Sequence, residues 1–295
     1  MMRWLAAVLM LVASTAQAEV IRFEQDGLKR QFQLFTPREA AGPLPLVLVL
    51  HGALQTGDRM RRTTRGTWEA LVDYEGLVVA FPSAHLRFWD VPGLPGSVGE
   101  TVPRDDIAYL DRVISEAKGR ADIDPDRVFL VGLSMGGQLT YAYACTRPGV
   151  RAIASVAMPL PTTLAGVCAA GRAMPALIIH GTEDPVVPIG GGALPSGPGA
   201  VVPVVSHAET QAIFARRARC GRPAEDRRYD AKQDGTVAIF TRWQGCTRPI
   251  WALTIEGMGH RWPGGGPDVP EAIIGPETDE VDGAAFVWSF FDQFR

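Results

Sequence analysis

Arg127-Val128-Phe129-Leu130-Val131-Gly132-Leu133-Ser134-Met135-Gly136-Gly137 is the stretch on which the fold turns. Val128 to Val131 is a short continuous apolar run, the pattern of a strand buried on both faces. Gly136 to Ala144 reads as the helix that follows. Between them, Gly132-Leu133-Ser134-Met135-Gly136 has the G-x-S-x-G spacing of a sharp strand-to-helix turn that presents a serine nucleophile. Such a turn strains the serine backbone. Glycines two residues to either side leave room for neighbouring chain. The helix N-terminus behind Ser134 adds the positive end of a dipole.

Outward from this turn, further apolar runs repeat the same signal. Leu44 to Leu50, Leu77 to Phe81, Ile153 to Ala157, Ala176 to Ile179 and Trp251 to Ile255 all read as doubly buried strands. Strands of this kind belong to a parallel sheet covered by helices on both sides. Asp105 to Lys118 carries Ile107, Leu110, Val113, Ile114 and Ala117 at helical spacing, with Gly119 as a stop. His207 to Arg219 predicts another helix. Glu280 to Phe294 predicts the last, with Val281, Ala285, Trp288 and Phe291 on one stripe. Glu19 to Thr36 alternates instead and turns at Asp26-Gly27, which predicts an antiparallel hairpin leading in. The expected fold class is therefore α/β, a mostly parallel central sheet between helices with an N-terminal antiparallel hairpin. Two stretches rich in Gly and Pro, Ile189 to Val205 and Arg87 to Arg104, are expected as irregular loops that form a lid or rim.

A serine hydroxyl is a poor nucleophile at neutral pH and needs a base. On this kind of turn the chain order is Ser, then acid, then His. His51 and His85 precede Ser134. His180 ends a strand, and His207 opens a helix as an expected surface residue. His260 remains, in Gly257-Met258-Gly259-His260 just after the last apolar strand. The acid is expected on the turn after Ala176 to Ile179, where Asp184 is chosen and Glu183 is the alternative. The oxyanion needs two N–H donors. Met135 supplies one. Ala53, in His51-Gly52-Ala53-Leu54 after an early buried strand, supplies the other, with Leu54 next in line.

The N-terminus has the layout of a secretory signal peptide over residues 1–18. Met1-Met2-Arg3 is a short positive region, Trp4 to Ala13 is apolar, and Ala16-Gln17-Ala18 suits cleavage before Glu19. The apolar run is too short for a permanent membrane span. Residues 19–295 are expected as one catalytic domain, secreted to the periplasm or the medium. A net charge of −3 argues against nucleic acid and anionic membrane surfaces as partners. Four cysteines in an exported chain favour two disulfides. Three pairings are possible, and loop closure favours Cys145–Cys168 with Cys220–Cys246. No Cys/His cluster suggests a metal.

Together with Leu50-His51-Gly52-Ala53, Phe81-Pro82-Ser83-Ala84 and Asp105-Asp106-Ile107-Ala108-Tyr109-Leu110, these motifs resemble the polyhydroxybutyrate-depolymerase/feruloyl-esterase family of α/β-hydrolases. His180-Gly181-Thr182-Glu183-Asp184-Pro185-Val186-Val187-Pro188 and Gly257-Met258-Gly259-His260-Arg261-Trp262-Pro263-Gly264-Gly265 are the more specific matches. The resemblance implies a triad of Ser134, Asp184 and His260, and ester hydrolysis without metal or organic cofactor. The Cys220–Cys246 spacing also looks familial. Trp89-Asp90 departs from the Trp-Asn often found in that family. Trp89 and Trp262, with Phe88, are expected as an aromatic substrate-binding rim around Ser134. The expected substrates are short-chain acyl, hydroxycinnamoyl or hydroxyalkanoate esters, free or linked to polyester or polysaccharide. The alternatives are a depolymerase acting on solid polyhydroxybutyrate, a peptidase or thioesterase on the same fold, and a non-catalytic binding protein. The predicted last helix ends at Phe294 and leaves no polymer-binding module, so soluble esters are expected to be preferred over polymer films.

Overall fold

The computed structural model describes residues 16–94, 104–196, 201–266 and 269–294. Ten strands form one sheet: β1 (Gln17–Gln25), β2 (Leu28–Thr36), β3 (Leu44–Leu50), β4 (Val78–Ser83), β5 (Ile123–Leu133), β6 (Ala152–Val156), β7 (Ala176–Gly181), β10 (Pro223–Tyr229), β11 (Val237–Trp243) and β12 (Ile250–Glu256). Their order is β1-β2-β4-β3-β5-β6-β7-β12-β11-β10. The stretch β4-β3-β5-β6-β7-β12 is parallel throughout, and its six strands are the six apolar runs of the sequence. Most of the expected leader lies outside the described residues. Its expected cleavage point, before Glu19, falls inside β1, where Gln17 and Ala18 already pair with Thr36 and Phe35.

The alternation of side chains along each strand divides the core into two layers. Leu46, Leu48, Leu50, Leu130 and Ile178 face one side. They pack on α3 (Asp106–Lys118), α4 (Met135–Thr146), α5 (Thr162–Ala170) and α6 (His207–Arg217). Val47, Val49, Phe129, Val131 and Ile179 face the other. They pack on α1 (Gly57–Thr63), α2 (Thr67–Leu71) and α8 (Gly283–Phe291), while the short α7 (Glu271–Ile274) lies in the loop after His260. Strands covered on both faces must be apolar at every position, which is why they read as unbroken runs.

The N-terminal hairpin turns at Asp26 and Gly27, both with positive φ, as a two-residue turn of this kind requires. Its Arg30 faces inward. The guanidinium pairs with the buried Asp106 at the start of α3 and lies 3.7 Å over the Tyr109 ring.

Three expectations need correction. The stretch Ile189 to Val205 is not wholly irregular. It contains a second small sheet, β8 (Gly192–Pro195) paired antiparallel with β9 (Val201–Val204). The last helix starts at Gly283, because Asp282 caps it by accepting the N–H groups of Ala284 and Ala285. Val281 therefore precedes the helix and Ala285 faces solvent. The buried face is Ala284, Val287, Trp288, Phe290 and Phe291. His207 is not a surface residue but is 3% exposed at the head of α6.

Cys145 is bonded to Cys168, joining the end of α4 to α5, and Cys220 to Cys246, joining the segment after α6 to the turn between β11 and β12. The loop closed by the first bond spans 23 residues. Replacing Cys145 and Cys168 by Ala should lower unfolding free energy by about 2–5 kcal/mol, measured by urea denaturation. Peptide mapping without reductant should recover only these two pairs. A crossed pair, or a loss below about 0.5 kcal/mol, contradicts the assignment.

Candidate active site

Everything expected of the site lies beyond the C-terminal ends of the parallel strands, where loops of open α/β sheets gather. β5 ends at Leu133, α4 begins at Met135, and Ser134 stands between them with φ 54° and ψ −122°. A non-glycine residue in that region is strained. The turn closes because the chain on both sides lacks side chains. A Cβ on Gly132 would lie 2.1 Å from the Gly136 carbonyl oxygen, and one on Gly136 would lie 2.5 Å from that of Leu50. The Ser134 N–H donates to the Val156 carbonyl at 2.8 Å, and the first turn of α4 bonds back to the Ser134 carbonyl.

The structure brings Ser134, His260 and Asp184 into one line. His260 Nε2 lies 2.8 Å from Ser134 Oγ, and His260 Nδ1 lies 2.7 Å from Asp184 Oδ2. With the carboxylate as acceptor, Nδ1 carries the proton and Nε2 accepts from the serine hydroxyl. Glu183, the alternative acid, is exposed, whereas Asp184 is buried.

Asp184 sits on the turn after β7. Its Oδ1 accepts the N–H groups of Val186 and Val187 at 2.9 and 2.7 Å, and His180 Nε2 stands 3.4 Å from its Oδ2. Burial alone would raise this carboxyl. Hydrogen bonds from His180 and His260, the His260 charge and the Val187 N–H prevail and hold it at about 2. The single Nε2 N–H of His180 donates to the Val187 carbonyl at 2.8 Å and faces the Asp184 carboxylate from the same side of the turn. Behind it lies His207, bonded through Nε2 to Thr254 Oγ1. Burial, aided by His180, lowers its pKa to about 3 and keeps it neutral.

The loop bearing His260 is stitched by Arg261. That guanidinium donates to the carbonyls of Gly275 and Val269 and pairs with Glu277 at 3.1 Å. The His260 N–H donates to the Ile274 carbonyl at 2.6 Å. Arg261 belonged to a recognised motif, but its type alone did not reveal this bracing role.

The turn expected to give the second oxyanion donor is equally fixed. Leu54 N–H donates to the Arg87 carbonyl at 2.9 Å, and Gly52 N–H to Gln55 Oε1 at 3.1 Å. Both neighbours are thus occupied. Among the described residues, the N–H groups of Ala53 and Met135 meet no acceptor, and both residues line the cavity at Ser134. His51 is fully buried, its pKa lowered to about 4 chiefly by that burial. It donates from Nδ1 to the Gly52 carbonyl and accepts at Nε2 from the Ala84 N–H.

Trp89 is not on the rim. It is 1% exposed, stacks near His51 with centroids 4.6 Å apart, and donates from Nε1 to the His51 carbonyl at 2.8 Å. Buried indole needs an acceptor, and this backbone supplies it. The Phe88–Asp90 segment is pinned there by Asp106, which accepts the Asp90 N–H, and by Arg104, which donates to the Phe88 carbonyl. Trp262 is 3% exposed, yet one side of it lines a cavity at His260.

Two cavities meet at Ser134. One, of about 430 Å³, is bounded by His260, Trp262, Arg59, Thr63, Val269 and Ile273. The other, of about 550 Å³, is bounded by Phe88, Met135, Gln138, Met158, Leu194 and Val202. The β8–β9 hairpin forms its outer wall.

A family model described as phospholipase/carboxylesterase matches residues 104–196. The chain is 32% identical to NocK of Nocardia uniformis subsp. tsuyamanensis, a protein with a provisional esterase name, over 81% of this chain and 72% of that one. It is 31% identical to a bifunctional acetylxylan esterase/xylanase of Neocallimastix patriciarum, over 80% of this chain but 31% of that one. Against feruloyl esterase C of Emericella nidulans the identity is 29%, over 53% and 50%. The solved acetyl xylan esterase from Aspergillus awamori shares the fold, with a TM-score of 0.58, 14% identity, and coverage of 94% of this chain and 100% of that one. The chain belongs to the esterase family of NocK and has the α/β-hydrolase fold. It is a carboxylic ester hydrolase.

Asp184 also leaves a signature in stability. Its carboxyl is held at about 2 when folded and returns to about 3.8 when unfolded. A depressed carboxyl contributes stability that is complete above roughly pH 4 and is lost as pH falls through about 2. A shift of this size is worth about 2 kcal/mol. Urea unfolding between pH 6 and 2 should show that slope. In Asp184→Asn the slope between roughly pH 4 and 2 should flatten by about one proton. Equal slopes in both proteins contradict the assignment.

Proposed function

We propose that this chain hydrolyses carboxylic esters through an acyl-enzyme on Ser134, with His260 as general base and Asp184 as the acid that orients it. The observation that carries this reading is the unbroken hydrogen-bonded line from Ser134 Oγ through the His260 ring to Asp184. Ser134 Oγ attacks the ester carbon as its proton passes to His260 Nε2. The carbonyl oxygen becomes an oxyanion held by the N–H groups of Ala53 and Met135. His260 then gives its proton to the leaving alcohol oxygen, and the alcohol departs. Water repeats the sequence on the acyl-enzyme and releases the acid.

The same geometry divides the two cavities between the halves of the substrate. The alcohol oxygen must face His260 Nε2 to receive a proton. The His260 cavity, bordered by Trp262 and Arg59, therefore takes the alcohol half. The acyl half extends past Met135 into the larger apolar cavity. That volume suits short acyl chains, hydroxyalkanoyl groups and single aromatic acids such as hydroxycinnamoyl, within the range of small-molecule sites. The names of the relatives support the same substrate range, with the alcohol half free or carried on a polymer. Two disulfides support export to an oxidising compartment, where the predicted leader would direct the chain.

Ser134→Ala should abolish turnover of p-nitrophenyl butyrate and methyl ferulate while leaving thermal unfolding cooperative. A fluorophosphonate probe should label Ser134 alone. His260→Ala and Asp184→Asn should each lower kcat on the order of 10⁴-fold. Labelling at another serine, or a comparable loss from His207→Ala, refutes the assignment.

A further inference from the structure

Helix α4 holds Ser134 at its N-cap and Gln138 one turn further on, where the Gln138 N–H bonds back to the Ser134 carbonyl. The Gln138 side chain is 6% exposed and lines the apolar acyl cavity. Apart from Ser134 at the entrance and Ser196 at the end of the hairpin strand, the other side chains of that lining are apolar. An amide offers two N–H donors and two acceptor lone pairs. Here one contact is made: Nε2 lies 3.7 Å from the thioether of Met158, a weak acceptor. Among the described residues the amide oxygen has no hydrogen-bonding partner. Most buried polar side chains are hydrogen-bonded, and this amide lines the cavity, where a bound group can satisfy it.

We propose that Gln138 is a specificity-determining group that selects acyl halves bearing a hydroxyl. A hydroxyl is the matching chemistry, because it donates to Oε1 and accepts from Nε2 at once. The inference rests on the acyl-enzyme reading above and on the assignment of this cavity to the acyl half. Two sources of such a hydroxyl fit the cavity: an aliphatic hydroxyacyl group, with the hydroxyl close to the ester carbon, and a phenolic acid, with the hydroxyl at the far end of a ring. A cavity water bound to Gln138 would satisfy the amide without giving selectivity, and the experiment separates that case.

The measurement is kcat/KM for two matched pairs of methyl esters: butyrate against 3-hydroxybutyrate, and cinnamate against 4-hydroxycinnamate. Each pair shares its alcohol and differs by one hydroxyl. The wild-type enzyme should favour the hydroxylated member on the order of tenfold or more in at least one pair, since sites built to bond a hydroxyl reject the analogue lacking it. The favoured pair identifies the source. Gln138→Leu should bring that ratio to about one or below, and Gln138→Met supplies a second, unbranched apolar replacement. Because each ratio is taken within one preparation, the unfolded fraction of a variant cancels. A ratio near one in both wild-type pairs, or a preference that survives both substitutions, overturns the assignment of Gln138. Retained ester turnover by Ser134→Ala would instead overturn the acyl-enzyme reading.

Discussion

The close contact of bare backbone around Ser134 is the constraint on which the rest of the molecule depends. A non-glycine residue with φ near +54° and ψ near −122° stores strain of about 1–3 kcal/mol and persists only where its surroundings dictate that conformation. Here they do. β5 delivers the chain between β3 and β6, α4 must leave at once across the top of β3, and only glycine at 132 and 136 lets those backbones approach. The same turn aims the Met135 N–H and sets Gln138 one turn beyond Ser134. One sharp corner thus places the proposed nucleophile, one proposed oxyanion donor and the polar group of the neighbouring cavity together.

Around this corner the other functional groups are fixed by buried polar side chains that do not face the substrate. His180 clamps the Asp184 turn, Arg261 stitches the loop under His260, and His51 with Trp89 shapes the turn that leaves Ala53 N–H open. His51 and His207 are kept neutral by burial, so they hold geometry without adding charge beneath the site. Arg30 and Asp106 do the reverse, carrying paired charge into the interior to anchor the Phe88–Asp90 segment. Asp106 also lies 3.7 Å from Arg104, and removing Asp106 would leave Arg30 buried without its carboxylate, which costs more than the pair contributes to stability.

How much of this was legible follows from where side chains meet water. The six parallel strands announced themselves because both their faces are buried, and the glycine pattern announced the corner because nothing else fits there. β10 did not. It runs Pro-Ala-Glu-Asp-Arg-Arg-Tyr along an exposed edge, and its charges, which suit an edge strand, erase the alternation that marks one. The β8–β9 hairpin was hidden by its glycines and prolines. Trp89 was misplaced because an aromatic residue near a mouth and one in the core look alike in sequence. Only the bond from its indole to the His51 carbonyl separates them. His207 carried the same ambiguity, as did Ala285, whose side depended on where Asp282 capped the helix.

The β8–β9 hairpin stands apart from the main sheet. It is held by the Val205 N–H to the Leu160 carbonyl, a bridge between Pro161 and Val204, a bond from Thr162 to Pro203, and a small apolar cluster around Leu194 and Val202. Its residues pair with none of the ten strands of the main sheet, and their packing reaches the site through Val187 and Met158 of that cluster. The corner that presents Ser134 and the outer wall of the cavity beside it are therefore built on different elements. A lineage built on this plan can recut the wall of that cavity while β5 and α4 keep the corner that presents Ser134.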